Sequence, residues 1–241
     1  MWGLAFIFWK GSPRPHNRIF WERSQQKPTL SGQPAPAMLP HSPADASAGY
    51  EAIADTFRVA RERASVGAVL LTEWARSLPP GATVLDLGCG TGVPVTAALA
   101  HAGCQVWGID AAPSLVRAFH ERFPQFPVAC EDLGTSPFFG RRFDAVVAVG
   151  VLFLLPPDAQ RQLIRKVADA LCPEGAFLFT APPMPAVWDD VLTGRRSESL
   201  GAAAYRAALA AVDLGIVAEM EDEGANHYFV ARPRGDRRAA G

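Results

Sequence analysis

Three glycines in close succession, Gly88, Gly90 and Gly92, follow a short apolar run that begins at Val84. A strand that enters such a turn leaves its backbone bare, because glycine permits positive φ and carries no Cβ. A ligand can then lie against the backbone at the carboxyl end of the strand, which is the usual binding crevice of doubly wound sheets. The glycines, with Cys89 between them, therefore predict a cofactor loop.

Asp110 is the next residue whose type and position could serve a cofactor. It ends a second apolar run, about 22 residues after Gly88, where doubly wound folds present an acid to ribose hydroxyls. A carboxylate can accept hydrogen bonds from both vicinal hydroxyls at once. The alternative is a structural role as the N-cap of the helix that follows Pro113. Both roles stay open at this point.

The spacing of the glycines argues against a nicotinamide site. A dinucleotide-binding turn has the pattern G-x-G-x-x-G, whereas here the third glycine comes one residue early and Val93 occupies the dehydrogenase position. The cysteines form no C-x-x-C pair and no Cys/His cluster, so no metal site is expected.

Short apolar runs alternate with helical patterns beyond Gly81, which predicts βαβ units around a parallel sheet. The expected strands are residues 83–87, 105–109, 127–130, 143–149 and 176–180, followed by a hairpin of 216–221 and 226–231. The expected helices are residues 47–61, 66–78, 95–102, 114–123, 158–171 and 200–214. The predicted fold class is α/β: a Rossmann-like, doubly wound, mostly parallel seven-stranded sheet with a C-terminal antiparallel hairpin and N-terminal helices.

The domain organisation follows from composition. Residues 1–46 are rich in Pro, Ser and Gln and are expected to form a flexible extension, in which Met38 could be the true start. Residues 47–233 form one expected domain, and residues 234–241 a flexible tail. The apolar opening of about eight residues is far shorter than the roughly 20 that span a bilayer. Basic residues follow it rather than precede it, so a cytoplasmic location is expected.

The charge balance limits the partners. Lys plus Arg number 23 and Asp plus Glu 24, so no global field favours nucleic acid or an acidic membrane surface. We expect a small-molecule substrate, no nucleic-acid or membrane partner, and a monomer or homodimer.

The string Asp86-Leu-Gly-Cys-Gly-Thr-Gly92 resembles the first motif of the class I S-adenosylmethionine-dependent methyltransferases, and the resemblance extends over residues 50–233. It implies that S-adenosylmethionine (SAM) is the cofactor. It also implies that Asp86 orients the methionine amino group, that Asp110 binds the ribose and that Ala111 packs on the adenine.

Residues after the third and fourth strands extend the resemblance. Glu131 and Asp132 match the acidic adenine motif, with Glu131 expected to bind the exocyclic amine and Asp132 as the alternative. Val149, at the end of the fourth strand, is expected on the cofactor side. Phe153 lies where relatives often have a histidine, so an apolar wall is expected there rather than a base. The N/D-P-P-Y/F motif of DNA methylases is absent, which argues against that class.

Side chains outside these motifs are the candidates for the acceptor pocket. A loop of about 18 residues, 182–199, is expected after the fifth strand, and loops of that length are often lids or binding elements. The candidates for substrate binding are Tyr50, Phe57, Arg61, Phe153, Trp188 and Tyr228. The candidates for proton transfer are His227 and Asp189, each with a structural or solvated role as the alternative.

Three functions are compatible with these residues. The first is a methyltransferase that moves the methyl group to a small molecule by in-line displacement. The second is a protein or RNA methyltransferase, which a basic groove with interleaved aromatic residues would favour; the core sequence shows no such stripe. The third is a module that binds the cofactor without turnover, because a binding motif cannot prove chemistry.

Overall fold

The computed structural model describes residues 45–62 and 65–235 of the chain. Most of the predicted extension (residues 1–46) and tail (residues 234–241) lies outside the described residues. Those two boundaries stay predictions.

Nine strands, numbered along the chain, lie in the described residues. They are β1 (Thr83–Leu87), β2 (Gln105–Asp110), β3 (Val128–Cys130), β4 (Phe143–Ala148), β5 (Leu171–Thr180), β6 (Ala186–Asp189), β7 (Arg196–Ser199), β8 (Leu214–Glu221) and β9 (His227–Pro233). Seven of them form one sheet in the order β3-β2-β1-β4-β5-β9-β8. The first five run parallel, whereas β9 pairs antiparallel with β5 and with β8. The predicted Rossmann-like fold with a C-terminal hairpin is confirmed.

The sheet is apolar on both faces, which explains why its strands appear as continuous apolar runs in the sequence. Leu85 and Leu87 of β1 point into one core cluster, and the alternate residue Val84 points into the other. All three side chains are fully buried. The strand order reverses between β1 and β4, so their carboxyl ends frame the crevice in which such sheets bind ligands.

Six α-helices surround the sheet within the described ranges. They are α1 (Ala54–Glu62), α2 (Ala68–Arg76), α3 (Val95–His101), α4 (Pro113–Arg122), α5 (Pro157–Ala170) and α6 (Ala202–Ala210). Helices α2 and α3 pack in one core cluster, and α5 and α6 pack in the other. Helix α1 packs through Ala54 and Phe57 against Leu115 of α4, over the carboxyl end of the sheet. Among these helices, none has the length and apolar character that a bilayer span requires.

Two expectations about local structure were wrong. Residues 182–199 are not a plain loop, because β6 and β7 pair there as a separate antiparallel ribbon. The helix expected from Ser47 begins later: turns and a 3-10 turn, Glu51–Ile53, precede α1. Ser47 still accepts a hydrogen bond from the backbone N–H of Glu51, at 3.3 Å, as a cap residue would.

Candidate cofactor site

An open cleft of about 720 Å³, counted with its solvent-filled mouth, lies at the carboxyl ends of β1 to β4. Its floor comes from residues that directly follow these strands: Gly88, Gly90, Asp110, Ala111, Asp132, Leu133, Val149, Gly150 and Val151. Its cover comes from the segment before α1, from α1 itself and from neighbouring apolar side chains: Ala46, Ser47, Ala48, Tyr50, Phe57, Arg61, Leu115, Leu154 and Leu155. We call this space the cleft.

The glycine turn is shaped by close packing. Gly88 has φ +66°, and a Cβ there would lie 2.6 Å from the Val151 side chain. A Cβ on Gly92, at φ +79°, would lie 2.5 Å from the Phe123 ring. Of the predicted turn residues, Gly88 and Gly90 line the cleft, whereas Cys89 and Gly92 support the turn without lining it. Burial raises the pKa of the Cys89 thiol, which makes this cysteine a packing residue.

Asp110 lines the cleft and also holds the turn in place. Its two carboxylate oxygens accept hydrogen bonds from the backbone N–H of Gly90 and of Ala112, each at 2.8 Å. The N-cap of α4 is Ala112 and not Asp110, so the alternative role of Asp110 as the helix cap is wrong. Asp110 instead holds the residue before the helix and lines the cleft. Burial raises the pKa of Asp110 against the opposing effect of these hydrogen bonds.

Asp86 lies deeper than the sequence alone indicated. It is 1% exposed, does not line the cleft, and accepts a hydrogen bond from the Thr96 hydroxyl at 2.7 Å. Burial, with the added charge of Asp110, raises the pKa of Asp86 to about 7, although the Thr96 hydrogen bond and Arg61 act in the opposite direction. The carboxyl group therefore titrates near neutral pH instead of carrying a fixed charge.

Arg61 brings a positive charge to the same end of the cleft. Among the described residues, its guanidinium group has no hydrogen bond or ion pair, and it lies 5.3 Å from the centre of the Phe57 ring. Burial lowers the pKa of Arg61, while Tyr50, Tyr228 and Asp86 raise it. Arg61 is half-buried, and its guanidinium group has no anionic partner among the described residues, so the site favours an anionic group of a ligand beside it.

Of the two acids expected on the adenine side, only Asp132 lines the cleft. Asp132 lines the cleft, and its carboxylate accepts a hydrogen bond from the backbone N–H of Thr135 at 3.0 Å. Glu131 does not line the cleft, because its carboxylate is turned to the Ser136 hydroxyl, 2.5 Å away. The structure thus favours Asp132, the alternative, over Glu131.

Two residues whose contacts the sequence did not indicate, Asp190 and Arg195, hold the cover of the cleft in place. The Tyr50 hydroxyl donates to the carboxylate of Asp190, which follows β6, at 3.2 Å. Arg195 forms an ion pair with Asp45 at 2.7 Å. The available signal was the Asp189-Asp190 pair: neighbouring residues of an extended segment face opposite sides, so one of the two had to point inward. Asp189 is exposed and Asp190 is buried.

Several predicted site residues lie outside the cleft. Phe153 packs on Trp188 with ring centres 5.3 Å apart. The Tyr228 hydroxyl donates to Asp222 at 2.9 Å, and His227 pairs with Glu219 of β8 at 2.8 Å. The structure does not bring His227, or the exposed Asp189, to the cleft, which leaves their predicted roles in proton transfer without geometric support. Across residues 45–62 and 65–235, no group of three or more His, Cys, Asp or Glu side chains could hold a metal ion.

Comparison with known proteins identifies the family. Residues 84–175, which run from β1 into β5, match the family model described as a methyltransferase domain. Residues 84–175 thus form a methyltransferase domain. The predicted methyltransferase domain is confirmed, and it supplies the floor of the cleft, while Tyr50, Phe57 and Arg61 come from outside residues 84–175.

Two curated relatives are similar to part of this chain. A cypemycin N-terminal methyltransferase of a Streptomyces species is 36% identical over 145 residues, which are 58% of this chain and 58% of the relative. A ubiquinone biosynthesis O-methyltransferase of Xanthomonas campestris is 33% identical over 162 residues, which are 64% of this chain and 58% of the relative. The chain thus matches less than two thirds of the length of each.

Among solved structures, the 1,6-didemethyltoxoflavin-N1-methyltransferase of Burkholderia thailandensis has the same fold. It superposes with a TM-score of 0.67 at 19% identity, over 83% of this chain and 93% of the other. At this level of identity, the similarity supports the architecture alone.

Proposed function

We propose that this protein transfers the methyl group of SAM to a small-molecule acceptor. The observation that carries the proposal is that the bare backbone of Gly88 and Gly90 and the carboxylate of Asp110 line one cleft at the switch point of the sheet. Relatives named for ubiquinone biosynthesis and for aklanonic acid methylation support a small acceptor.

The polar groups of the cleft match the chemical features of SAM. We assign the ribose hydroxyls to Asp110 and the adenine side to Asp132, because both residues line the cleft. The methionine end of SAM carries an ammonium and a carboxylate. Arg61 lines the cleft, and Asp86 is buried in β1 just before the glycine turn, where the two charges affect each other's pKa. We assign the ammonium to Asp86 and the carboxylate to Arg61. Arg61 was expected at the substrate, but its half-buried guanidinium group, which has no anionic partner among the described residues, supports binding of the cofactor carboxylate.

When bound, SAM supplies an electrophilic methyl group on a good leaving group. The protein then has to orient the acceptor and exclude water. Val151, Leu154 and Leu155 offer an apolar wall for this, and Phe57 covers it from α1. Alignment in such a pocket contributes on the order of 7–11 kcal/mol to a bimolecular reaction. The lining residues with ionisable side chains are Tyr50, Arg61, Asp110 and Asp132. The proposal therefore rests on alignment and invokes no general base.

A peptide amine is the second candidate for the acceptor, because the name of the cypemycin relative places its reaction at an N-terminus.

We further propose that the protein works in the cytoplasm, as a monomer or homodimer without nucleic acid. The near-equal numbers of acidic and basic residues support this, as do the four unpaired cysteines, Cys89, Cys104, Cys130 and Cys172.

Calorimetric titration of the purified protein with SAM and S-adenosylhomocysteine (SAH) tests the proposal. We expect binding of both ligands to the wild type and loss of both in Asp110→Ala. Asp158→Ala is the matched control, since it removes an exposed carboxylate from α5. A methyl-acceptor screen, read as the gain of one methyl mass and including short peptides with free N-termini, then separates the two acceptor classes. No binding of either ligand to the wild type would refute the proposal.

A further inference from the structure

Asp190 has no part in the function proposed above, although it is buried beside the cleft and fully engaged. One carboxylate oxygen accepts hydrogen bonds from the backbone N–H groups of Leu192 and Thr193, at 3.0 and 2.8 Å, and from the Thr193 hydroxyl at 3.0 Å. The other oxygen accepts from the Tyr50 hydroxyl at 3.2 Å. The turn that follows β6 thus fixes the carboxylate, and the carboxylate fixes the direction of the Tyr50 O–H bond.

Tyr50 lines the cleft together with Arg61 and Asp110. Burial, followed by the Asp190 carboxylate, raises the pKa of Tyr50, so this group keeps its proton at neutral pH. The other charges that act on it are those of Arg61 and Asp110. In the proposed orientation, these residues hold the two ends of the cofactor, its methionine carboxylate and its ribose. The sulfonium joins those two ends, and Tyr50 belongs to the same cleft lining, so its hydroxyl is the candidate to meet the sulfonium.

We propose that Asp190 is a positioning residue that turns the Tyr50 proton away from the cleft and thereby presents the hydroxyl oxygen to the sulfonium of SAM. An oxygen lone pair, backed by a carboxylate, attracts a cation and gains little from a neutral thioether. The pair therefore makes the site prefer cationic SAM over its neutral product SAH. This inference rests on the proposed function, because it needs SAM in the cleft.

Asp190→Asn is the sharpest test, since the surroundings fix the orientation of the new amide. Three donors, from Leu192 and Thr193, require the amide oxygen on their side. The amide nitrogen then faces Tyr50 and donates to it, so the Tyr50 proton turns into the cleft. Tyr50→Phe is the second variant: it removes the oxygen without reversing it.

The measurement is the ratio of the SAH to the SAM dissociation constant, obtained by calorimetry for each variant. We expect Asp190→Asn to weaken SAM binding about tenfold, as for the loss of a hydrogen bond to a charged group, with SAH changed less than about twofold. Tyr50→Phe should lower the ratio by a smaller factor. Sinefungin, which carries an ammonium in place of the methyl group, should weaken as SAM does.

Two controls separate this effect from general damage. Tyr205→Phe removes another buried hydroxyl, which donates to Gln160 outside the cleft. Asp144→Asn changes another carboxylate that accepts from a backbone N–H and a hydroxyl, both of Thr83 at the amino end of β1. Both should keep the wild-type ratio. If Asp190→Asn does not unfold cooperatively on heating, it is not a folded protein. In that case the ratio of the SAH to the SAM dissociation constant of Tyr50→Phe tests the inference.

The possible failures are distinguishable. Wild-type protein that binds SAM and SAH, with a ratio unchanged in Tyr50→Phe and in folded Asp190→Asn, overturns this inference and leaves the proposed function intact. An equal loss of SAM and SAH affinity in both variants also overturns it, because the pair would then only hold the cover in place. Wild-type protein that binds neither ligand overturns the proposed function and this inference together.

Discussion

At the scale of single residues, the protonation state of Asp86 links SAM affinity to pH. The raised pKa of Asp86, about 7, means that the free protein carries a proton on this carboxyl group at lower pH. An ammonium group of the ligand needs the ionised form, so binding must release that proton. The affinity for SAM should therefore fall as pH falls through 7, by about tenfold between pH 8 and pH 6.

Calorimetry at these two pH values tests the prediction with a ligand control. The compound 5′-methylthioadenosine keeps the adenosine and lacks the methionine end, so its affinity should change less than about twofold. Asp86→Asn should remove the pH dependence of SAM binding. A pH dependence shared by both ligands would point instead to Asp110, whose pKa burial also raises, and would contradict the assignment of Asp86.

The same carboxyl group affects stability with the opposite sign. Because the pKa of Asp86 is higher in the folded than in the unfolded protein, the folded state binds more protons between about pH 4 and pH 7. The contribution of Asp86 to the free energy of unfolding therefore decreases as pH rises through this window. SAM affinity increases over the upper part of this pH window. The ionised carboxylate of Asp86 therefore strengthens SAM binding at the pH values at which it contributes least to stability.

At the scale of elements, the start of α2 is fixed against the turn between β8 and β9. Gly67 precedes α2 at φ +79°, and its N–H donates to Glu223 of that turn at 3.1 Å. A Cβ on Gly67 would collide with the Tyr228 hydroxyl and would lie 3.0 Å from the Asp222 carboxylate. These contacts join the N-terminal helices to the C-terminal hairpin.

Gly67→Ala and Gly81→Ala separate backbone strain from this contact. Gly81 has a similar φ of +71°, and a Cβ there would meet nothing within 4 Å. Each alanine should cost about 1–2 kcal/mol for the left-handed backbone. Gly67→Ala should lose a further 1–3 kcal/mol or so through overpacking. Urea unfolding measures both changes, and equal losses would show that the junction yields to an added methyl group.

At this scale, the sequence could predict the elements whose pattern lies within a few neighbouring residues, but not contacts between residues that are distant in the chain. The five parallel strands were predictable because each is a short apolar run buried on both faces, and the glycine turn because its spacing is local. The ribbon of β6 and β7 was not, since each strand has only four residues and β7 contains no apolar residue that would mark its buried face. The Tyr50–Asp190 contact joins residues 140 positions apart, so the Asp189-Asp190 pair could indicate a buried acid but could not identify Tyr50 as its partner.

At the scale of the whole molecule, the cleft is covered by two segments, one that precedes and one that follows the methyltransferase domain in the sequence. Residues 46–50 and α1 come before it, and the turn after β6, which holds Tyr50 through Asp190 and Asp45 through Arg195, comes after it. A ligand in the cleft therefore contacts or steadies segments that are distant in the sequence. SAM bound to this arrangement has no equivalent site in the unfolded chain, so binding must stabilise the fold as a unit.

The size of that stabilisation is predictable. SAM at about 100 times its dissociation constant should add roughly 2.7 kcal/mol to the free energy of unfolding. For a domain of this size, that raises the melting temperature by roughly 5–11 °C, with a single transition. Differential scanning calorimetry with and without SAM measures the shift, which Asp158→Ala should keep and Asp110→Ala should lose. A shift confined to one of two separate transitions would mean that the cover and the sheet unfold independently. In that case the residues before α1 would act as a detachable lid, and the affinity for SAM would depend on how often that lid is closed.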